Sequence, residues 1–211
     1  MPISILKHLV INNKNTVGGA IKIHDSSPGI EFHDSIFINN SARNGGGIDC
    51  NAKSLLIKNC TFAGNKATST NSAAAVYTSA GYLTISDSLF INNGISTDFL
   101  ISVNTVANNV ITDSIFLNNS VTYMVYSALS NGITANNNWW GNVVGDKSTK
   151  PKTNNNVKLT QWFFLDIDVN EQFLYTNGTS NITFSLNRYY NSESGHVVKG
   201  NFKYPDIVKL N

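Results

Sequence analysis

The sequence predicts an all-β fold: a right-handed, single-stranded parallel β-helix of about six coils, followed by a partial β-sandwich. Large apolar anchor residues recur every 23 to 28 residues, an asparagine follows each anchor at one fixed offset, and short apolar segments are separated by Asn, Ser and Gly. Residues at one offset lie above one another when coils stack about 4.8 Å apart. A leucine-rich repeat has a similar period but needs several leucines at fixed offsets, whereas these segments have strand composition.

One anchor residue per coil sets the period. Successive anchors are separated by 27, 25, 28, 26 and 23 residues. We expect their side chains to fill the interior as one stack. The anchors are Val10, Phe37, Phe62, Phe90, Phe116 and Trp139.

An asparagine lies three positions after every anchor, which predicts an asparagine ladder at one corner of the coils. In such a ladder each side-chain amide donates to the carboxamide of the next coil, and Asn also adopts left-handed backbone at low cost. The predicted members are Asn13, Asn40, Asn65, Asn93, Asn119 and Asn142.

A second column lies three positions before the anchors and contains Asp34, Asn59, Asp87 and Asp113, here called the aspartate file. Asp87 and Asp113 come from consecutive coils and are expected to face each other. Because adjacent carboxylates repel and are costly to bury, we expect the file at a solvated corner. In the last coil the apolar residue expected five positions before the anchor is displaced to Ile133, which implies a one-residue insertion.

Glycines and outward apolar residues complete the repeat. The glycine-rich segments, such as residues 45–47, let the chain turn where a Cβ atom would crowd. Apolar residues flank the anchors, and strand alternation points them away from the interior. They form an outer ridge that either is covered by a loop or a second domain, or serves as a contact surface. Its members are Ile36, Ile38, Leu89, Ile91, Ile115 and Leu117.

The string NNNWWGN at 136–142 marks the end of the repeats. Trp139 falls in the anchor column, and Gly141 permits a sharp exit of the chain. Trp139 and Trp140 either plug the open apolar end of the solenoid or offer an aromatic platform for a sugar.

The predicted organisation is a solenoid over 1–145, a polar linker over 146–160 and an immunoglobulin-like β-sandwich over 161–211. Apolar and polar residues alternate at 165–169 and 182–186, and HVVKGNFKY gives a third candidate strand. About 50 residues remain where an immunoglobulin-like domain needs about 100, so this domain is expected to be truncated.

The FxxN spacing and GGAI at 18–21 resemble the repeats of polymorphic outer-membrane proteins. The closing NNNWWGN, followed by a spacer and Trp162, resembles the adhesin-like surface proteins of methanogenic archaea. The resemblance covers roughly residues 5–165. It implies a secreted or cell-surface protein with a pectate-lyase-like fold, mostly without demonstrated catalysis, and often with immunoglobulin-like domains after the solenoid.

Composition argues against several classes of protein. A net charge of +2 is too mild to indicate a nucleic-acid partner. Cys50 and Cys60 lie in no metal-binding spacing, so buried thiols are expected and no metal or other cofactor is predicted. No stretch has the apolar length of a membrane span, and the first residues lack the regions of a signal peptide. The chain begins inside a repeat, so we expect a fragment of a longer protein.

Glycosylation is left open by five Asn-x-Ser/Thr sequons in a chain that contains 32 asparagines. Chance matches are expected in so Asn-rich a sequence. The sequons begin at Asn39, Asn59, Asn118, Asn177 and Asn181.

Three functions remain in competition. The preferred one is a non-catalytic, extracellular adhesin-like solenoid that binds cell-surface glycans or proteins. The second is a polysaccharide lyase or glycoside hydrolase with a groove along the aspartate file, since β-helices also carry such enzymes. The third is a structural spacer. No catalytic residue is predicted; the candidate binding residues are Trp139, Trp140, Asp34, Asp87 and Asp113.

Overall fold

The computed structural model describes residues 2–25, 27–95, 99–105, 108–130, 132–169 and 179–202. Within these residues the protein is all-β and contains a parallel β-solenoid of about six turns. Three sheets run along the solenoid, here called faces A, B and C. Most coils contribute one strand to each face in turn, so the predicted stacking of coils into a parallel solenoid is confirmed.

Face A is a parallel sheet of seven strands. Its register aligns Ile5, Phe32, Ile57, Ile85 and Ile111, the apolar residues five positions before the anchors. The strands are Ile3–Leu6, Ile30–His33, Leu55–Lys58, Leu83–Ser86, Asn109–Thr112, Ile133–Thr134 and Val157–Lys158.

Face B carries the anchors, and its parallel register places Val10, Phe37, Phe62, Phe90 and Phe116 directly side by side. Its solenoid strands are Leu9–Ile11, Ile36–Ile38, Thr61–Ala63, Leu89–Ile91, Ile115–Leu117, Asn138–Val143 and Gln161–Val169.

Face C is a parallel sheet of five strands, each from a different coil. A separate pair of two-residue strands lies between faces B and C in the chain. The strands of face C are Ile21–Ile23, Ile48–Cys50, Ala73–Thr78, Phe99–Val103 and Tyr123–Ser127. The small pair consists of Ser41–Ala42 and Lys66–Ala67.

The four phenylalanine anchors form the centre of the core. Their rings stack with centroid separations of 4.6, 4.9 and 5.0 Å and are inclined to one another by at most 10°. All four side chains are fully buried. Because the ring separation nearly equals the spacing of neighbouring strands, stacking and sheet pairing reinforce each other.

Gly46 shows why the glycine-rich segments are needed. A Cβ atom there would lie 2.3 Å from the carbonyl oxygens of both Ala74 and Lys66. The chain entering face C therefore passes too close to its neighbours for a side chain, as expected from the sequence.

The segment predicted as a linker, 146–160, belongs to the solenoid. Thr153 bridges to Val125 in parallel, and Val157–Lys158 pairs with Ile133–Thr134 at the end of face A. A short 3-10 helix, Val144–Asp146, precedes this return. The segment is polar because most of it is an outer loop, while its apolar residues Val157 and Leu159 are buried in the core.

The immunoglobulin-like expectation for 161–211 is not confirmed. Gln161–Val169 is itself the last parallel strand of face B, and antiparallel strands follow it. Strand alternation predicted that these segments are extended but did not identify their partners. The antiparallel strands are Ile182–Ser185, Arg188–Asn191 and His196–Lys199.

Candidate functional site

The asparagine ladder contains five of the six predicted residues. In each step the backbone N–H and the side-chain Nδ2 of one Asn donate to Oδ1 of the Asn in the next coil, over 2.9–3.1 Å. From the second member onward, Nδ2 also donates to the carbonyl oxygen of the preceding coil's anchor. The ladder comprises Asn13, Asn40, Asn65, Asn93 and Asn119.

Asn142 does not join this ladder. Its Nδ2 donates instead to the carbonyl oxygens of Asp146 and Thr149 and holds the loop that follows the last repeat. The left-handed backbone also lies one residue earlier than expected, just before each ladder asparagine. The residues with positive φ there are Asn12, Asn39, Gly64, Asn92 and Asn118.

A second ladder of hydrogen-bonding side chains lies two positions before the anchors. The sequence shows small residues recurring at this position, but their hydrogen bonds were not predicted. Ser88 shows the pattern: its Oγ donates to the carbonyl oxygen of Ser86 and accepts the backbone N–H of Cys60. Ser114 does the same for Ser88, and Asn138 Oδ1 accepts the N–H of Ser114. This ladder therefore satisfies buried backbone donors that face no strand partner.

The aspartate file lies at the corner between faces A and B, and its members are half-buried. Asp34, Asn59, Asp87 and Asp113 all have φ between 50° and 52°. Asn and Asp tolerate this left-handed conformation, which explains their recurrence without any catalytic role. Asn59 Nδ2 donates to Asp34 Oδ1 over 2.6 Å. Among the described residues, no three His, Cys, Asp or Glu side chains are grouped to hold a metal ion.

The assignment of Trp139 to the anchor column is wrong by one residue. Ile115 pairs with Trp139, and the Trp140 ring stacks on Phe116 at 4.2 Å. Trp140 therefore continues the aromatic stack as an internal plug. Trp139 points outward, is half-buried, and donates from Nε1 to the carbonyl oxygen of Asn142.

The outer ridge is covered at its C-terminal end. Ile115 packs with Phe163, Leu186 and Phe202, and Leu89, Leu117 and Trp139 lie against this cluster. At the other end Leu9 and Ile11 are exposed. The ridge is thus partly an internal contact with the antiparallel strands.

A surface groove runs across face A and crosses successive coils. It has a volume of about 560 Å³. Tyr82 stands at its edge with 61% of its surface exposed, and Lys53 and Glu31 supply opposite charges. The groove is lined by Pro2, Pro28, Gly29, Glu31, Lys53, Ser54, Leu55, Leu56, Tyr82 and Thr84.

Glu31 is the acidic group of this groove. Its carboxylate accepts a hydrogen bond from Ser4 Oγ at 2.9 Å and lies 3.3 Å from His33 Nε2. The hydrogen bond from Ser4, followed by the one from His33, lowers the pKa of Glu31 below its ordinary value. Glu31 therefore presents a charged acceptor at neutral pH, and Lys53 and the hydroxyl of Thr84 offer donors.

By its fold, this protein belongs to the class of parallel β-solenoids. No family model, no curated protein and no solved structure matches the chain. Among the residues described, no helix is long and apolar enough to cross a membrane.

Proposed function

We propose that this protein is a non-catalytic, adhesin-like solenoid of the cell surface that binds glycans through the groove on face A. The supporting observation is the exposed ring of Tyr82 beside a groove that carries charged and hydroxyl groups. A concave surface with an aromatic side chain and a few polar groups is the usual form of a ligand-binding site.

The direction of the groove favours a linear ligand. Strands of neighbouring coils lie about 4.8 Å apart, and the groove spans the coils that contain Glu31, Leu56 and Thr84. The outward residues of these three coils differ in chemistry, so successive units of a polymer would meet different contacts. This arrangement suits a polysaccharide better than a small compact molecule.

The extracellular location belongs to the proposal and rests on the resemblance of the repeats to those of surface proteins. The aspartate file is not part of the proposed site, because its recurrence follows from backbone conformation. The outer ridge is likewise left out, since antiparallel strands occupy part of it.

Glycan-array binding of the recombinant chain tests the proposal, with Tyr82→Ala as the probe. Loss of the ring is expected to weaken binding by about tenfold, equivalent to about 1.4 kcal/mol. Phe184→Ala is the matched control, because Phe184 is also 61% exposed but lies on the antiparallel strands.

Equal effects of Tyr82→Ala and Phe184→Ala would move the binding surface away from face A. An array without any bound glycan would reject the glycan-binding function itself. Cleavage of a bound polysaccharide, measured as new reducing ends, would contradict the non-catalytic part of the proposal and favour the enzyme hypothesis.

A further inference from the structure

One Asn-x-Ser sequon lies at the surface of the solenoid, directly after a face B strand. It comprises Asn118, Asn119 and Ser120. These three residues follow the strand Ile115–Leu117 and belong to no strand themselves. Asn118 has a left-handed backbone with a φ of 51°, so the chain bends at the first residue of the sequon. In exported proteins, N-linked glycans are attached to sequons in surface loops of this kind.

The amide and the hydroxyl that define this sequon are both accessible. Asn118 and Ser120 are exposed, and neither side chain forms a hydrogen bond with another described residue. Asn119 between them is buried in the asparagine ladder. Its Nδ2 donates to the carbonyl oxygen of Phe90 at 2.9 Å, and its Oδ1 accepts Nδ2 of Asn93 at 3.0 Å. The ladder therefore fixes the middle residue and leaves the outer two free to enter the active site of an enzyme.

The sequon at Asn59 lacks this accessibility. Asn59 is half-buried, and its Nδ2, the atom that would carry the sugar, donates to Asp34 Oδ1 at 2.6 Å. Thr61, which supplies the hydroxyl, is only 4% exposed and lies in a strand of face B. A glycosylating enzyme would have to break this hydrogen bond and open the sheet to reach both groups.

The remaining sequons differ from that of Asn118 in their secondary structure. Asn39 and Asn181 are exposed. Their hydroxyl residues, Ser41 and Thr183, lie in strands that pair with neighbouring strands, so the backbone there is held extended. The sequon at Asn177 begins outside the described residues. Of the sequons that the structure describes in full, the one at Asn118 alone lies entirely outside strands.

We propose that Asn118 carries an N-linked glycan. The donor is a sugar joined through its anomeric carbon to the phosphate of a lipid or nucleotide carrier. The amide Nδ2 forms a bond to the anomeric carbon and releases one proton. The bond from that carbon to the phosphate oxygen breaks, and the phosphate leaves with the electron pair. The inference rests on the extracellular location in the proposed function. Asn118 does not line the groove on face A, so the glycan leaves that groove open.

Peptide mapping by mass spectrometry of the full-length protein, purified from the cells that produce it, tests the inference. A sugar mass on Asn118 is expected. Asn92 is the internal control, because it occupies the same corner in the preceding coil, is exposed and has a φ of 55°. It is also followed by a ladder asparagine, Asn93, but Gly94 replaces the hydroxyl residue, so Asn92 should remain unmodified.

Two substitutions of Ser120 separate the effect of the sequon from that of exposure. Ser120→Ala leaves Asn118 in place and removes the hydroxyl, so modification of Asn118 should fall to the level found at Asn92. Ser120→Thr keeps a hydroxyl and should retain the glycan. Because Ser120 is exposed and lies outside the strands, neither substitution should change the Tm, which circular dichroism checks.

An unmodified Asn118 in the native protein would overturn the inference, as would a glycan that persists in Ser120→Ala. Equal modification of Asn59 and Asn118 would refute the selection of one sequon by the folded structure. These failures are separate from failure of the proposed function, because the glycan array measures binding by the recombinant chain and does not depend on Asn118. Cell fractionation adds a further distinction: an unmodified Asn118 in a cytoplasmic protein would also reject the extracellular location.

Discussion

Replacing Asn93 by alanine removes a central member of the asparagine ladder. Asn93 is fully buried. Its Nδ2 donates to the carbonyl of Phe62 at 2.9 Å and to Asn119 Oδ1 at 3.0 Å. Its Oδ1 accepts the backbone N–H and the Nδ2 of Asn65 at 2.9 and 3.0 Å. Alanine would keep only the two backbone hydrogen bonds, from its own N–H to Asn119 Oδ1 and from the Ser120 N–H to its carbonyl oxygen.

The size of the destabilisation follows from the hydrogen-bond donors that the substitution leaves without acceptors. The backbone N–H of Asn65 loses its acceptor, and so does one hydrogen of its Nδ2; the other still donates to the carbonyl of Phe37. At about 1–3 kcal/mol for each orphaned buried donor, the free energy of unfolding should fall by about 2–6 kcal/mol. For a chain of this size, about 4 kcal/mol corresponds to a decrease in Tm of about 8–16 °C.

Asn13→Ala provides the control at the first step of the same ladder. Asn13 is exposed, and within the described residues its side chain only donates, to Ile11 and Asn40. Its removal leaves no buried donor without an acceptor, so the loss should stay within about 0.5–1.5 kcal/mol. Thermal and urea unfolding followed by circular dichroism measure both variants. If Asn93→Ala melts with the parent protein, or if the two variants lose equal stability, the ladder does not hold the coils together.

Four further predictions concern the core and the turns. Phe90→Ala should lower the free energy of unfolding by about 3–5 kcal/mol in urea, because it opens a cavity between two stacked rings; a loss below that of a surface alanine variant would contradict the stack. Gly46→Ala should prevent normal folding, whereas Gly145→Ala, with nothing within 4 Å of its added Cβ, should not; equal melting of the two would refute the close approach. Ser88→Ala should cost about 1–3 kcal/mol by orphaning a buried N–H, and no change in Tm would show that water replaces the hydroxyl. Burial raises the pKa of Cys60 to about 12, so iodoacetamide at pH 8 should label this thiol only after unfolding in urea, and rapid labelling of the native protein would disprove its burial.

The phase of the coils could be predicted from the sequence because each interior position repeats one residue type. Phe37, Phe62, Phe90 and Phe116 occupy one column, as their spacing indicated. The prediction for the last coil was wrong because either of two adjacent tryptophans could be the anchor, and Trp140 rather than Trp139 stacks on Phe116. The insertion inferred at Ile133 was the available signal: with Trp140 as the anchor, the residue five positions earlier is Ala135, which is buried, and the insertion disappears.

The sequence also indicates which residues have left-handed backbone, through the residue types that occur at one position of successive coils. The residue before each ladder asparagine is either Asn or Gly, with Gly64 replacing the asparagine of its neighbours. Alternation of these two residues is typical of positive φ. The ladder asparagine itself is never glycine, because its side chain must donate and accept.

The antiparallel strands could be predicted as strands but not placed. Alternation fixes which residues share a face, whereas pairing depends on contacts distant in sequence. Here the partner is the last solenoid strand, and the outer residue Ile115 is part of the surface that the antiparallel region covers. No local pattern carried this information.

The groove on face A escaped prediction for a reason that follows from the solenoid itself. Inward residues of face A must fill the same column in every coil, so they repeat. Outward residues meet solvent and are free to differ: the outer file reads Ser4, Glu31, Leu56, Thr84 and Val110 across consecutive coils. A search for repeated residues therefore finds the scaffold and passes over the groove that we propose as the binding surface, where neighbouring coils present different groups.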